Sequence, residues 1–566
     1  MYPARLAPAI LCAMIVVVGC GPAVTGGSPS PAFDPGTEED RAALFDYLVE
    51  STMERDAFAS LPDHPYYREH PRGIDVVAGM ERFRDELVAA DTDSAFYYAL
   101  LKISNARKDR HLRVSPVDGG LVFPDSFGIA ESLANAPVAG SRVPSAPVRL
   151  RVDYGEPDDR FLFLADWSSA VAAGEYGPVP GPGDLVLTIN GVSADEYREA
   201  VRPYHRYSVE DSFWWQLATW IPQRGVQFPR RFYGESLSLT LQRRDGTTYR
   251  LDLPYLDPAS IEWEGHGARV YPGFTRVTAL GDNDTYDLFL SEEPGVPVVL
   301  LQWHGFRADL PQAMDRLMDF AEARGLLDHH VIVDATRGRG GSRGAYAVQR
   351  LQHRPFRTTF GNLKVSDASE RWVEDRIRRL RRDPQAADET TDGGNWLLDW
   401  LETDVRTAIA EERRYTNDVP FKLAHLPKWA DGIVDPAPVH FRGGLTVWLG
   451  PKGGSHLDQF ASQVVDNALG HVMGMSAGGY SNTWQYEEVL RFPTTGRPIA
   501  GYMWSMGHSI RPNKVILQYN PAEVHEYIPQ TRDNYFDYHA RLLRRTLERL
   551  GLTLSTEASA SGSTSS

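Results

Sequence analysis

Cysteine is nearly absent: the 566 residues hold two, Cys12 and Cys20, both within the first twenty positions. A disulfide framework, a cysteine-rich zinc site and an iron–sulfur cluster are thereby excluded. Long apolar runs are missing as well, and past the first twenty residues no window is long and apolar enough to cross a bilayer as a helix. Lysine is scarce, with seven residues in all, which leaves few candidates for any chemistry that needs a lysine base. Nor is there a positive excess. Lys+Arg 59 against Asp+Glu 75 leaves a formal net charge of −16, which repels phosphate backbones and argues against nucleic acid as a partner. What remains is ordinary globular material, 42% hydrophobic and 24% charged, at a length that suggests three or four folding units of ~150 residues.

The two cysteines lie in the pattern of an export signal. Arg5 precedes the apolar stretch Leu6 to Val18, which is too short to span a bilayer comfortably. Val17-Val18-Gly19-Cys20 resembles the lipobox of bacterial lipoproteins, which predicts a leader over residues 1–19 and lipidation of Cys20. The protein is then expected in the bacterial cell envelope, held to the membrane by that lipid on the periplasmic or extracellular face. An ordinary cleaved leader would instead leave it soluble outside the cytoplasm. Residues 20–36 read as a flexible tether, and the Ser/Thr/Ala/Gly-rich residues 555–566 as a disordered tail.

Between these ends the chain divides into three blocks, so the expected fold class is α/β and multidomain. Residues 37–115 are helix-like: Ala42, Leu44, Phe45, Leu48 and Val49 recur at helical spacing, as do Phe96, Ala99, Leu100 and Ile103. Residues 122–255 change to short strands and turns, among them a hairpin that pairs Ser236–Leu241 with Thr248–Leu253. Here Gly183-Asp184-Leu185-Val186-Leu187-Thr188-Ile189-Asn190-Gly191 resembles a segment of PDZ domains, which add an extended peptide to a sheet edge. The Trp- and Tyr-rich insertion Val201 to Arg231 departs from a minimal PDZ domain and either covers a groove or packs the core.

Residues 258–551 alternate strands and helices. Val296 to Leu301 and Val331 to Asp334 are strands joined by the amphipathic Leu310 to Arg324, a unit that argues for an α/β sheet. The second strand ends in Asp334-Ala335-Thr336-Arg337-Gly338-Arg339-Gly340-Gly341, a turn rich in glycine. It is no phosphate loop, since no Gly-Lys-Ser/Thr follows. Further on, the strand Leu445 to Leu449 runs through Gly450-Pro451-Lys452-Gly453-Gly454-Ser455 into a helix with apolar residues at Leu457, Phe460, Ala461, Val464 and Val465. Ser455 thus sits where a strand turns into a helix. A serine there either caps the helix, with Asp458 completing a capping-box-like arrangement, or presents its hydroxyl beside free amides that stabilise an oxyanion. Gly474-Met475-Ser476-Ala477-Gly478 is a rival, matching the nucleophile elbow of α/β-hydrolase esterases. The residues after Ser476, Gly478 to Thr483, start a helix poorly.

Taken together, these segments resemble one family: the C-terminal-processing (tail-specific) serine peptidases, including the tricorn core protease and the retinoid-binding repeats. The likeness spans nearly the whole chain past the tether. It implies a helical N-terminal domain, a PDZ-like domain and a ClpP/crotonase-like α/β catalytic domain. The strand end Asp334 to Gly341 is similar to the family's Asp-Leu-Arg-x-Asn-x-Gly-Gly, and Ser455-His456-Leu457-Asp458 to its Ser-x-x-Glu. Gly474 to Gly479 looks like its Gly-Glu-x-Thr-Gly-Gly. In one branch the base is a lysine, and Gly479 occupies its position. In the other it is a histidine, and His111 in Lys108-Asp109-Arg110-His111 falls there, with Arg110 replacing a small residue. The resemblance implies that His111 takes the proton of Ser455, that Ser455 forms an acyl-enzyme with a peptide or protein substrate, and that the amides of His456 and of Gly340 or Gly341 hold the oxyanion. It implies no metal or other cofactor. Gln518 stands where the family often has a glutamate that orients the histidine; Glu523 or Glu526 then serves instead, or the triad is incomplete. A peptide-binding chain without turnover is the alternative that incompleteness keeps open.

Overall fold

The computed structural model describes residues 33–59, 74–121, 143–225, 229–281, 283–383, 395–421, 432–480 and 484–554. The expected leader, Cys20, most of the expected tether and residues 555–566 lie outside the described residues. Among the described residues no helix is long and apolar enough to cross a membrane.

The first helix, Glu38–Arg55, starts at Thr37, whose hydroxyl accepts from the amide of Asp40 while the Asp40 carboxylate accepts from Thr37. That reciprocal cap, with acidic residues in the first turn, fixes its beginning. Its buried face carries Leu44, Phe45 and Leu48. The helix Asp93–Asn105 is buried from Phe96 to its end and packs Phe96, Leu100 and Ile103 into the same core.

Next comes a six-stranded antiparallel sheet with Val148–Asp153 and Phe161–Trp167 at one side and the hairpin Ser236–Gln242 with Thr248–Pro254 at the other. Strict alternation in the hairpin puts Leu237, Leu239, Leu241, Leu251 and Leu253 inside. The Ile189-Asn190-Gly191-Val192 turn has positive φ at both Asn190 (51°) and Gly191 (88°), the tight hairpin turn that Asn-Gly favours. The insertion forms the helix Glu210–Trp220, whose Phe213, Trp214 and Leu217 fill the core of this sheet.

The last block is a seven-stranded sheet. Five strands are mutually parallel, in the order Glu526–Tyr527, His471–Gly474, Leu445–Leu449, His330–Asp334 and Val298–Trp303, and two antiparallel strands, Tyr286–Ser291 and Phe274–Arg276, complete it. Central strands are mostly apolar and buried because helices cover both faces: Leu310–Ala323 and His456–Asp466 on one, Tyr538–Arg549 on the other. Parallel strands end together, so the loops after Trp303, Asp334, Leu449 and Gly474 gather at one edge. Clefts in such sheets form there.

The helical block does not stand apart. Val114–Ser115 pairs antiparallel with Pro498–Ser505, and Leu490, Phe492, Ile499 and Trp504 share the core of the N-terminal helices. Arg107 is fully buried, paired with Asp56 at 3.0 Å and bonded to the Met503 carbonyl at 2.8 Å, with its guanidinium 4.4 Å from the centre of the Tyr502 ring. Breaking a buried pair of this kind costs about 3–5 kcal/mol.

Candidate active site

Ser455 is the residue before the helix His456–Asp466, and its backbone lies at φ 60°, ψ −122°. An L-residue pays about 1–3 kcal/mol for such a conformation, which persists only when its surroundings impose it. They do so from three sides. The Ser455 amide donates to the Tyr480 carbonyl at 2.5 Å. Gly454 lies so close to the Tyr480 ring that a Cβ on it would stand 1.9 Å from a ring carbon. Gly340 presses on the other side, where a Cβ would be 2.6 Å from the Ser455 Cβ. The capping alternative is not realised, because the Ser455 side chain makes no capping bond. The Asp458 carboxylate instead accepts from the amides of Gly479 and Tyr480, both at 3.2 Å, and so pins the loop after the His471–Gly474 strand against the helix start. Burial pushes the Asp458 carboxyl up to about 8, against the pull of those amides.

Of the two glycines proposed as donors, Gly340 lies against Ser455, and Gly341 is packed against Phe306. A Cβ on Gly340 would be 3.2 Å from the His456 amide nitrogen. Gly341 pairs in register with Phe306, against whose carbonyl it is packed, at φ 149°. The His456 side chain faces inward, its Nε2 accepting from the Gly344 amide and its ring 5.3 Å from that of Phe306. That inward anchor holds the first turn of the helix in place.

His111 arrives from the far end of the chain and meets the same wall. Its ring centroid is 5.2 Å from that of Tyr480, edge to face. The segment leading to it is tied down at each residue: the Arg107 carbonyl accepts from the Tyr519 hydroxyl at 2.7 Å, and the Lys108 carbonyl from the Gln518 amide at 3.2 Å. Arg110, the departure from a small residue, swings out. Its guanidinium lies 5.5 Å from the rings of both Trp215 and Tyr480 and donates to the Tyr480 hydroxyl and the Lys452 carbonyl. Residues near 110 and near 452 are therefore adjacent.

The acid beside His111 is Asp109, which the sequence reading passed over. Its Oδ1 accepts from the His111 amide at 2.9 Å and lies 3.1 Å from His111 Nδ1. Asp two residues before an amide it accepts from is an Asx turn, a signal readable in Asp109-Arg110-His111. The carboxylate is buried while the ring is partly open, so a fixed acceptor aims the imidazole. The expected orienters are elsewhere. Gln518 donates to Lys108 and to the Ser208 hydroxyl, supporting the loop rather than the ring. Glu526 is engaged by Arg545 at 2.7 Å and His471 at 3.5 Å, and Glu523 is exposed.

The Trp- and Tyr-rich insertion packs the core and also reaches the residues around Ser455. Beyond filling the core, it contributes Trp215 beneath Arg110, and Val209 against Gly479, where a Cβ would stand 2.9 Å from Val209 and from Pro521. A lysine at position 479 has no room on this backbone, which is at φ 66°. Ser476 follows its strand without a helix through Tyr480, so it sits on no elbow. Among the described residues no group of three or more His, Cys, Asp or Glu side chains is placed to hold a metal ion.

No family model matches the sequence, and no curated protein does. Solved structures do. Mature CPAF aligns over 90% of this chain and 96% of its own at 14% identity and a TM-score of 0.61, and mature CPAF complexed with lactacystin over 90% and 98% at the same identity and score. The photosystem II D1 C-terminal processing protease lies further off, at 11% identity over 86% of this chain and 92% of its own, with a TM-score of 0.37. At these identities what is shared with CPAF is the fold, along nearly the full length of both chains.

Proposed function

We propose that this chain is a serine endopeptidase of the tail-specific type, histidine-base branch, which hydrolyses peptide bonds through an acyl-enzyme on Ser455. The observation that carries the reading is the strained Ser455 at a strand-to-helix junction, set between Gly340 and a Tyr480 that also packs on a carboxylate-oriented histidine. Because Asp109 faces Nδ1, the opposite nitrogen, Nε2, is the one left to work on substrate. His111 takes the Ser455 proton through Nε2 as Oγ attacks the peptide carbonyl, and the tetrahedral oxyanion is held by the amides of His456 and Gly340. The same nitrogen returns the proton to the leaving amine. Water then repeats the sequence, with the acyl group released as a carboxylic acid. Gln518 keeps the His111 loop in place.

A PDZ-like role for the antiparallel sheet, presenting an extended peptide, and a lipid anchor on Cys20 in a bacterial cell envelope complete the proposal. The replacement of an expected glutamate by Gln518 is what favours the second reading, a peptide-binding chain without turnover. Reaction of the purified protein with a fluorophosphonate probe separates them. Labelling that vanishes in Ser455→Ala and falls at least ~10²-fold in His111→Ala supports the peptidase. Labelling lost only in Ser476→Ala points to an esterase, and a wild-type protein that never labels is a binding module.

A further inference from the structure

Away from the proposed catalytic residues, a cavity of about 90 Å³ opens between the antiparallel sheet and the parallel one, lined among others by Arg149, Arg151, Asp166, His266, Arg337 and Tyr535. That volume is several times the ~10–15 Å³ that a single water requires. Three elements meet there: Arg149 and Arg151 project from the strand Val148–Asp153, Arg337 from the turn after His330–Asp334, and Tyr535 from the segment before the last helix.

The charges do not cancel. Arg151 Nε and Arg337 Nη2 both donate to the Tyr535 hydroxyl, at 2.9 and 3.2 Å, and the two guanidiniums donate besides to the carbonyls of Leu150 and Gly267, at 2.7 and 2.9 Å. Neither forms an ion pair among the described residues, and the carboxylates in the neighbourhood are already committed. Asp166 receives Arg149 at 2.9 Å, the amides of Gly265 and His266, and the His266 ring. Asp334 receives the Tyr271 hydroxyl, the amide and hydroxyl of Thr336, and Arg269 at 3.6 Å. A further cation backs the site, since Lys452 Nζ donates to the Arg337 carbonyl at 2.8 Å. Burial and the surrounding guanidiniums pull Lys452 down to about 7 and Arg337 below its ordinary value. The Tyr535 phenol is drawn down too, against its burial, by Arg151 and Arg337. Cations crowded in a partly dry cavity are stabilised by an anion that enters it.

We propose that this cavity is a binding site for a compact oxyanion, a phosphate, sulfate or carboxylate group, gripped by the forked donors of Arg151 and Arg337 and backed by Arg149 and His266. Guanidiniums match such groups through paired N–H donors. Two lining residues are backed by built-in reporters, because Trp263 lies 3.8 Å under Arg149 and Trp167 stacks on His266 at 4.3 Å. The inference stands independently of whether Ser455 is a nucleophile.

The test is titration of the purified protein with inorganic phosphate, sulfate or acetate at an ionic strength held constant with chloride. Tryptophan fluorescence, calorimetry and thermal melting are the readouts. A saturable signal is expected, with a rising melting temperature, weakened at least tenfold in Arg151→Gln and unchanged in Arg244→Gln, whose exposed side chain pairs with Asp533 elsewhere. Preference for phosphate and sulfate over acetate assigns a tetrahedral anion, and the reverse a carboxylate. If Arg151→Gln fails to fold by circular dichroism, Arg149→Gln, whose side chain is 44% exposed, takes its place. No saturable response to any of the three anions, or one that survives in the folded variant, overturns the proposal.

Discussion

Replacing Gly340 by alanine adds one methyl group where no space exists. Its Cβ would lie 2.6 Å from the Gly454 carbonyl oxygen, 2.6 Å from the Ser455 Cβ and 3.2 Å from the His456 nitrogen. All three atoms belong to the backbone or its first side-chain carbon, so no rotamer change relieves the overlap. The turn after Asp334 and the start of the His456–Asp466 helix must move apart. Overpacking of this kind costs about 1–3 kcal/mol of stability. The chemical cost is larger if the amides of Gly340 and His456 act on one oxyanion, since withdrawing a single donor lowers kcat about 10²–10³-fold, or ~2.7–4 kcal/mol. Peptide hydrolysis and fluorophosphonate labelling would be followed beside thermal melts, with Gly295→Ala as control because a Cβ there meets nothing within 4 Å. The expected result is a folded Gly340→Ala protein, destabilised by a few degrees and slowed at least a hundredfold. A protein that labels within threefold of wild type would refute the argument that Gly340 and Ser455 form one site.

Asp109→Asn should keep the Asx turn yet lose the charge that orients His111, lowering kcat about 10²–10⁴-fold with KM little changed; an unaltered rate in a kinetic assay would remove Asp109 from the mechanism. Lys452 supplies a test in pH. Its folded pKa, about 7, lies below the ordinary 10.5, so between those values the unfolded chain binds the proton that the folded one has released, and stability rises with pH. Denaturant melts of wild type and Lys452→Met should therefore diverge in favour of wild type above pH 7, by at most ~1.4 kcal/mol per pH unit, and a gap that stays flat from pH 7 to 9 would contradict this.

Period and punctuation made much of the architecture readable. The spacing of Leu44, Phe45 and Leu48, the alternation in 236–241 and 248–253 and the apolar runs at 296–301 and 331–334 each correspond, within two residues at either end, to an observed element, because burial on one or both faces writes itself into the residue pattern. The position of Ser455 between strand and helix was legible for the same reason. Its backbone strain was not, since φ 60° at a serine is imposed by Tyr480 and Gly340, which are distant in sequence. Asp109 was less legible, because the resemblance places an acidic residue far along the chain, whereas here a short Asx turn supplies one two residues from His111. The charge at 151 and 337 was invisible for a different reason: arginines are common here, and only the packing of two sheets brings these two together without an ion pair among the described residues.

The ties on His111 also bear on timing. Met503, Gln518 and Tyr519 hold the stretch from Arg107 to Lys108, and Val114–Ser115 has no strand partner until Pro498–Ser505 exists. A nascent polypeptide emerging from the ribosome therefore carries its imidazole on a stretch that lacks these later supports until residues 498–519 have been made. On the proposed mechanism, the order of synthesis itself withholds the last support of the base.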